Sequence, residues 1–220
     1  MNKNFAPSIN SQPSGESLDE VATGESADII SSNSFESIAK ERELADYAAS
    51  QTIYSGLFIN PDELYKLFPP SLDHPIRDPH VTVAYRPGTE KVFLDELGSD
   101  AVIRVLGYGN DGKNEGLLVE VAASSPIIQE ALNKRVAPDK NGEMKHVRMH
   151  ITSSISDGSE AVNTKNLDFK PINSSESPVT LTGNYKLFRN DGVLISSKET
   201  VEEMKQNNFH VQEVEDPDRL

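Results

Sequence analysis

The sequence has 220 residues, of which 36% are apolar and 25% are charged, and it contains 13 glycines and 13 prolines. This composition fits one globular domain with additional terminal segments and excludes a collagen-like or other fibrous chain. The net charge of −14 repels polyanions, so we expect no binding of bulk nucleic acid. Cysteine does not occur, which excludes disulfides, cysteine-based zinc sites and thiol nucleophiles.

The start of the sequence bears on where the protein works. Its first 30 residues contain no apolar run of signal-peptide length, and no apolar window of 18 residues occurs anywhere. We therefore expect a cytoplasmic protein without a membrane partner.

Acidic residues are concentrated at the two ends. Residues 1–51 contain three basic and nine acidic residues, and residues 201–220 contain two and six. The first stretch is rich in Ser, Asn, Glu and Gly and offers little apolar surface to bury. We therefore predict four segments: a disordered acidic tail over 1–33, an amphipathic helix over 34–51, one domain over 52–200 and an acidic C-terminal tail over 201–220.

Within the domain, strand and helix patterns alternate. Pro61 followed by acidic residues predicts a helix at 61–68. The Ser125 cap with Pro at the first helical position predicts another at 125–134. Asn110-Asp-Gly112 predicts a hairpin turn. Runs of β-branched and aromatic residues predict strands at 54–59, 80–85, 101–106, 116–122, 147–155, 179–182, 185–188 and 192–196. The predicted fold class is α+β with a mostly antiparallel sheet.

One glycine motif imitates a cofactor site. Gly107-Tyr-Gly109-Asn-Asp-Gly112 matches the G-x-G-x-x-G dinucleotide pattern. That pattern requires a helix immediately afterwards, because the helix N-terminus holds the pyrophosphate. Here another strand follows, so we expect a hairpin and no nicotinamide cofactor. No other pattern indicates a cofactor or a metal.

Two copies of one short motif carry the chemistry. His80-Val-Thr82 and His150-Ile-Thr152 each lie on a predicted strand with an apolar residue between the polar pair. Side chains on a strand alternate between faces, so each histidine shares a face with its threonine. Two imidazoles can take and give a proton near neutral pH, and the hydroxyls can donate to phosphate oxygens. This combination suits in-line displacement at a phosphodiester without a metal.

Further polar residues near the motifs are candidate substrate-binding residues. Extending the second strand backwards places His146 and Arg148 in one row with His150 and Thr152. Arginines beside the motifs can neutralise phosphate charge, and a strand tyrosine can stack on a base. Ordinary surface or core positions are the alternative for each of them. The candidates are Arg148, His146, Tyr54, Arg77 and Arg86.

With these two motifs, residues 52–200 resemble the 2H phosphoesterase superfamily, in which two H-x-[ST] motifs with an apolar x lie on strands. The resemblance implies two pseudo-symmetric lobes of antiparallel sheet, with helices outside and a central cleft. It also implies that His80, Thr82, His150 and Thr152 are catalytic. Members open 2′,3′-cyclic phosphates on RNA ends, open the cyclic phosphate of ADP-ribose, or cut 2′-5′ or 3′-5′ linkages in small oligonucleotides.

The stretch from Leu67 to Thr82 resembles the cyclic phosphodiesterase branch associated with RNA repair and tRNA ligation. The sequence therefore predicts a metal-independent phosphodiesterase whose substrate is a small nucleotide or an RNA terminus. Two alternatives stay open. One is a catalytically silent nucleotide-binding sensor, and the other is an interaction protein whose acidic tails bind a basic protein partner.

Overall fold

The structure is a computed structural model that describes residues 25–138, 141–172 and 178–214. Residues 25–38 belong to one unit and residues 39–214 to a second. None of the helices described has the length and apolar character needed to cross a membrane.

Fifteen helices and strands follow one another in this part of the chain, besides three short 3₁₀ turns. In chain order they are α1 (Glu25–Gln51), β1 (Thr52–Ile59), α2 (Pro61–Leu67), β2 (His74–Pro75), β3 (His80–Tyr85), β4 (Asp100–Asn110), β5 (Asn114–Ala123), α3 (Pro126–Asn133), β6 (Val136–Pro138), β7 (Met144–His146), β8 (His150–Ile155), β9 (Lys170–Pro171), β10 (Thr180–Arg189), β11 (Leu194–Ile195) and α4 (Lys198–Val214).

The helix starts inside the predicted domain follow the sequence signals. The Asn60 side chain accepts a hydrogen bond from the Asp62 amide at 2.9 Å, with Pro61 as the first residue of α2. Ser125 caps α3 in the same way. Such caps satisfy amides that have no partner inside the helix. The hairpin between β4 and β5 also forms where it was predicted.

The terminal boundaries differ from the prediction. Helix α1 begins at Glu25 and not at residue 34, so the predicted disordered tail is wrong for residues 25–33, and its remainder lies outside the described residues. The C-terminal tail was predicted from residue 201, but Val201 lies in helix α4 and is completely buried. Burial of this apolar side chain makes the start of α4 part of the domain. The last residues of that tail, 215–220, are not described.

The main sheet is entirely antiparallel, and its strand order is β2-β8-β5-β4-β10-β1-β3, with β11 beside β10 and β9 beside β4. Strands β6 and β7 form a separate pair. Strands β3 and β8 carry the two motifs and have four strands between them along the sheet, yet they contact each other. The sheet therefore curls and brings its two motif strands together.

Two predicted strands, 179–182 and 185–188, are one continuous strand, β10. The gap left between them contains Gly183, which lies where β10 passes between β1 and β4. A Cβ at this position would come within 2.8 Å of Ile103 Cδ1. Glycine is needed here for close packing and not for a turn. Because β10 pairs with both β1 and β4, the strands that carry the two motifs belong to one continuous sheet.

The core lies between this sheet and the helices packed on it. Its fully buried members come from β1, α2, β3, β5, α3 and β8 and include Leu57, Leu64, Val81, Leu117, Ile128 and Ile151. Val81 and Ile151 are the central residues of the two His-x-Thr motifs. Burial of these central residues fixes which face of each strand its histidine occupies.

Candidate active site

In both motif strands, buried and half-buried side chains alternate as predicted around the histidine and threonine. In β3, His80 and Thr82 are half-buried while Val81 and Val83 are buried. In β8, His150 and Thr152 are half-buried and the residues between and after them, Ile151 and Ser153, are buried. Each strand thus presents one core face and one face carrying a histidine and a threonine.

The two motifs occupy equivalent places in the sheet. Thr82 pairs with Gly56 of β1, and Thr152 pairs with Gly116 of β5. A β-bulge directly precedes each glycine. A Cβ on Gly56 would lie 2.9 Å from the Val81 carbonyl oxygen, and one on Gly116 would lie 2.5 Å from that of Ile151. Both glycines therefore permit close approach of a motif strand to its neighbour.

Both imidazoles are oriented by the same kind of hydrogen bond. His80 Nδ1 lies 2.8 Å from the carbonyl oxygen of Asp78, and His150 Nδ1 lies 2.8 Å from that of Arg148. A carbonyl oxygen only accepts, so Nδ1 carries the proton and donates it in each case. In the neutral form Nε2 then has a free lone pair, as a general base requires.

Burial and nearby positive charge keep the two histidines neutral. Burial lowers the pKa of His80 to about 4; the hydrogen bond to Asp78 opposes this shift, and the charges of Arg135 and His150 add to it. Burial also lowers the pKa of His150, with further lowering by Arg135, Arg148 and Lys165. Strands β3 and β8, which carry the two histidines, contact each other.

Arg135 is a site residue that sequence reasoning missed. It follows α3, and one of its guanidinium nitrogens donates to the Thr82 carbonyl oxygen at 2.8 Å. Its charge lowers the pKa of both His80 and His150, and burial lowers its own pKa. Basic residues are common after a helix. The sequence around Arg135 therefore gave no sign that this residue contacts a strand distant in the chain.

Tyr54 belongs to an aromatic cluster around His80. Its ring centroid is 4.4 Å from that of His80 and 4.7 Å from that of Phe188, nearly parallel to both. Phe58 lies 5.0 Å from His80. Burial and the charge of Asp78 raise the pKa of Tyr54 to about 12. The tyrosine supports the histidine ring and forms part of the apolar surroundings that keep it neutral.

The continuous polar row predicted from residue 145 to Thr152 does not form. His146 ends β7, whose partner is β6, and β8 starts only at His150. His146 is exposed and belongs to the separate strand pair, so the prediction that it shares a strand face with His150 was wrong. Arg148, between the strands, donates to the Leu167 carbonyl oxygen at 2.9 Å, while its own carbonyl orients His150.

The other two predicted arginines differ in their positions. Arg77 is exposed between β2 and β3, and no described contact joins it to either histidine. Arg86 directly follows β3 and has a φ of 43°, which is unfavourable for a residue with a side chain. Its amide donates to the Ile53 carbonyl oxygen at 2.6 Å. Its guanidinium carbon lies 5.6 Å from the Tyr85 ring centroid.

A buried carboxylate holds the segment that leads into the first motif. Glu115, 2% exposed, accepts hydrogen bonds from the amide and the hydroxyl of Ser71, both at 2.9 Å. Tyr108 at 2.5 Å and Ser154 also donate to it. Burial opposes ionisation, but these hydrogen bonds outweigh it and lower the pKa of Glu115. Its place beside Gly116 ties the lead-in segment to the second motif.

The glycine motif noted in the sequence belongs to the β4–β5 hairpin. The motif lies at the end of β4 and in the turn before β5, so the element that follows it is a strand and not a helix. Among the described residues no group of three or more acidic or histidine side chains could hold a metal ion.

Comparison with family models and with curated proteins gives no match for this chain. The fold and the site by themselves define an α+β protein with a large antiparallel sheet. Two histidines with the same tautomer, each followed by a threonine on the same strand face, meet beside one arginine.

Proposed function

We propose that this protein is a metal-independent phosphodiesterase that hydrolyses a 2′,3′-cyclic phosphate end, or a linkage in a small nucleotide, by two-histidine acid–base catalysis. The observation that carries the proposal is the matched pair of imidazoles, each with Nδ1–H donated to a main-chain carbonyl two residues before it. Such a pair can perform both proton transfers of an in-line displacement. The finer assignment to the 2H phosphoesterase superfamily belongs to the same proposal.

The reaction needs one neutral and one protonated imidazole. The neutral histidine takes a proton from water as the water oxygen forms a bond to phosphorus. The protonated histidine gives its proton to the ribose oxygen as the bond from that oxygen to phosphorus breaks. The products are a phosphate monoester and a free hydroxyl, and the next turnover starts after a proton exchange with solvent.

The charge that develops on the phosphate oxygens needs stabilisation. Thr82 and Thr152 lie on the same strand faces as their histidines, so their hydroxyls can donate to phosphate oxygens bound there. Arg135 adds a cation that acts on both histidines. Fixed donors and a positive charge in a partly dry site stabilise such a transition state strongly.

The test is hydrolysis in EDTA of a panel of nucleoside 2′,3′-cyclic phosphates, ADP-ribose cyclic phosphate, cyclic dinucleotides and 2′-5′ oligoadenylates. Wild type should turn over at least one of them, and His80→Ala and His150→Ala should each lose at least about 100-fold of that activity. His74→Ala is the matched control, because His74 is exposed and pairs with Asp157 at the surface.

Three results would contradict the proposal. Activity that survives both motif substitutions would exclude the two-histidine mechanism, and activity abolished by EDTA would exclude its independence of metal. Tight nucleotide binding without turnover would favour the sensor.

A further inference from the structure

A cavity of about 600 Å³ opens beside the candidate active site, and the proposed function does not use it. Its walls are the end of β3, the short turn at residues 89–91 with Phe93, one face of α3, and the residues from Arg135 to Ala137. Sites for small ligands have volumes of about 300–1,000 Å³, so this cavity can hold a nucleotide unit.

The cavity adjoins the first motif. Arg135 lines it and also donates to the Thr82 carbonyl oxygen. Tyr85 lines it too and pairs with Tyr54 of β1, and the Tyr54 ring stacks on His80. Cross-strand partners lie side by side on one face of a sheet, so Tyr85 and Arg135 connect the cavity to His80 and Thr82.

The charged groups of the lining favour an anion. Four basic side chains and two acidic ones line the cavity: Arg86, Lys91, Lys134, Arg135, Glu90 and Glu130. Lys134 forms an ion pair with Glu130 one helical turn away. The excess of positive charge in this cavity contrasts with the net charge of −14 of the whole chain. A local cationic site in an acidic protein selects small anions over long polyanions.

The lining also offers surfaces for a base. Tyr85 is 65% exposed and Ile127 is 49% exposed, so both offer apolar surface to a ligand in the cavity. The guanidinium of Arg86 lies over the Tyr85 ring. Aromatic rings and arginine planes are the platforms on which proteins stack unpaired bases. The unfavourable backbone of Arg86 is the kind of strain that is retained at binding sites.

From the cationic lining, the exposed aromatic ring and the contacts of Arg135 and Tyr85 with the first motif, we infer that the cavity binds one nucleotide unit joined to the scissile phosphate. The substrate is then a small oligonucleotide or cyclic dinucleotide, and a nucleoside 2′,3′-cyclic monophosphate is a poorer substrate. This inference rests on the proposed function, because it concerns the same active site.

The test compares kcat/KM for a cyclic or 2′-5′ dinucleotide and for a nucleoside 2′,3′-cyclic monophosphate in wild type and variants. Wild type should prefer the dinucleotide by at least 10-fold. Ile127→Glu places a negative charge in the cavity wall and should remove most of that preference, while kcat/KM for the mononucleotide changes less than threefold. Val193→Glu, an exposed valine in a turn, is the matched control and should leave both values unchanged.

A second pair of variants does not depend on adding a charge to α3. Lys91→Ala should lower the preference at least threefold, and Lys113→Ala, at the exposed turn before β5, should not. Equal kcat/KM values for both substrates in wild type, or equal losses for both in Ile127→Glu, would overturn the inference and leave the phosphodiesterase intact. Absence of turnover on both substrates and on the rest of the panel would overturn the proposed function and this inference with it.

Discussion

At the scale of single residues, the site depends on two imidazoles that are neutral in the free enzyme. Each is half-buried, donates Nδ1–H to a carbonyl and faces the positive charge of Arg135. Arg135 opposes protonation of the two histidines in the free enzyme, and the same charge would attract an anionic phosphate. Binding of that phosphate then supplies the negative charge that favours an imidazolium.

The first prediction concerns this arginine. Arg135→Gln removes a positive charge next to both histidines, so it should raise the pKa of His80 and of His150 and lower kcat/KM about 100-fold. Titration of the imidazole proton resonances by NMR measures the pKa change. Lys113→Gln is the control, since Lys113 lies in the exposed turn before β5. Unchanged histidine pKa values in Arg135→Gln would contradict the role assigned to it.

The second prediction is the pH dependence of kcat/KM, which reports groups of the free enzyme. The neutral base is lost when His80 is protonated, and the pKa of His80 is about 4. The protonated acid is lost when His150 is deprotonated, and its pKa is below the ordinary value of 6.5. With these roles, kcat/KM should rise with pH near 4, pass a maximum and fall before 6.5. A maximum on the alkaline side of 6.5 would show that the histidines are not neutralised in this way.

At the scale of elements, the bulge and glycine in β1 and in β5 set the position of each motif strand. Gly56 and Gly116 face the threonines of the two motifs in the same register. The histidines come together because β3 and β8 sit against strands that lack a side chain at this point. Neither glycine has a positive φ, so close packing and not backbone freedom explains the residue type.

The third prediction tests this packing. A Cβ on Gly116 would meet the Ile151 carbonyl oxygen and Thr164 Cγ2, each at 2.5 Å. Gly116→Ala should therefore lower the free energy of unfolding by about 1–3 kcal/mol and reduce activity by displacing β8. Urea denaturation measures the first effect. Gly88→Ala is the control, because its Cβ would meet only the flexible carboxylate of Glu90, and the two variants should differ clearly in stability.

At the scale of the whole molecule, β10 joins the two motif-bearing halves, and α4 closes the core beside it. Val201 of α4 is completely buried. Lys198 pairs with Glu41 at 2.7 Å and with Asp95 at 2.9 Å, and these hydrogen bonds raise its pKa. The last helix is thus tied to α1 and to the segment after β3, so the domain needs residues beyond 200.

The fourth prediction follows from this boundary. Val201→Ala leaves a void among fully buried neighbours and should cost about 2 kcal/mol of stability. Val162→Ala is the matched control, since Val162 is 57% exposed. Thermal or urea unfolding compares the two. If both variants were as stable as wild type, α4 would not belong to the folded domain.

Much of the local structure could be predicted from the sequence. The alternation around His80 and His150, the caps at Asn60 and Ser125, and the hairpin after β4 all depend on neighbouring residues only. The incorrect predictions concern residues whose structure depends on contacts with residues distant in the sequence. Gly183 resembles a turn residue until its neighbours in β1 and β4 are known. His146 resembles a continuation of β8, but its strand pairs with β6.

The sequence by itself determined which side chains share a face of each motif strand, because the period of a strand is a local property. It also determined the α+β class and the absence of thiol chemistry. Only the tertiary structure decided that the strands of two motifs 70 positions apart in the printed sequence contact each other, that Arg135 binds Thr82 and that a cationic cavity adjoins the first motif. These depend on the curl of the sheet and on the docking of α3, which many weak, non-local contacts set together.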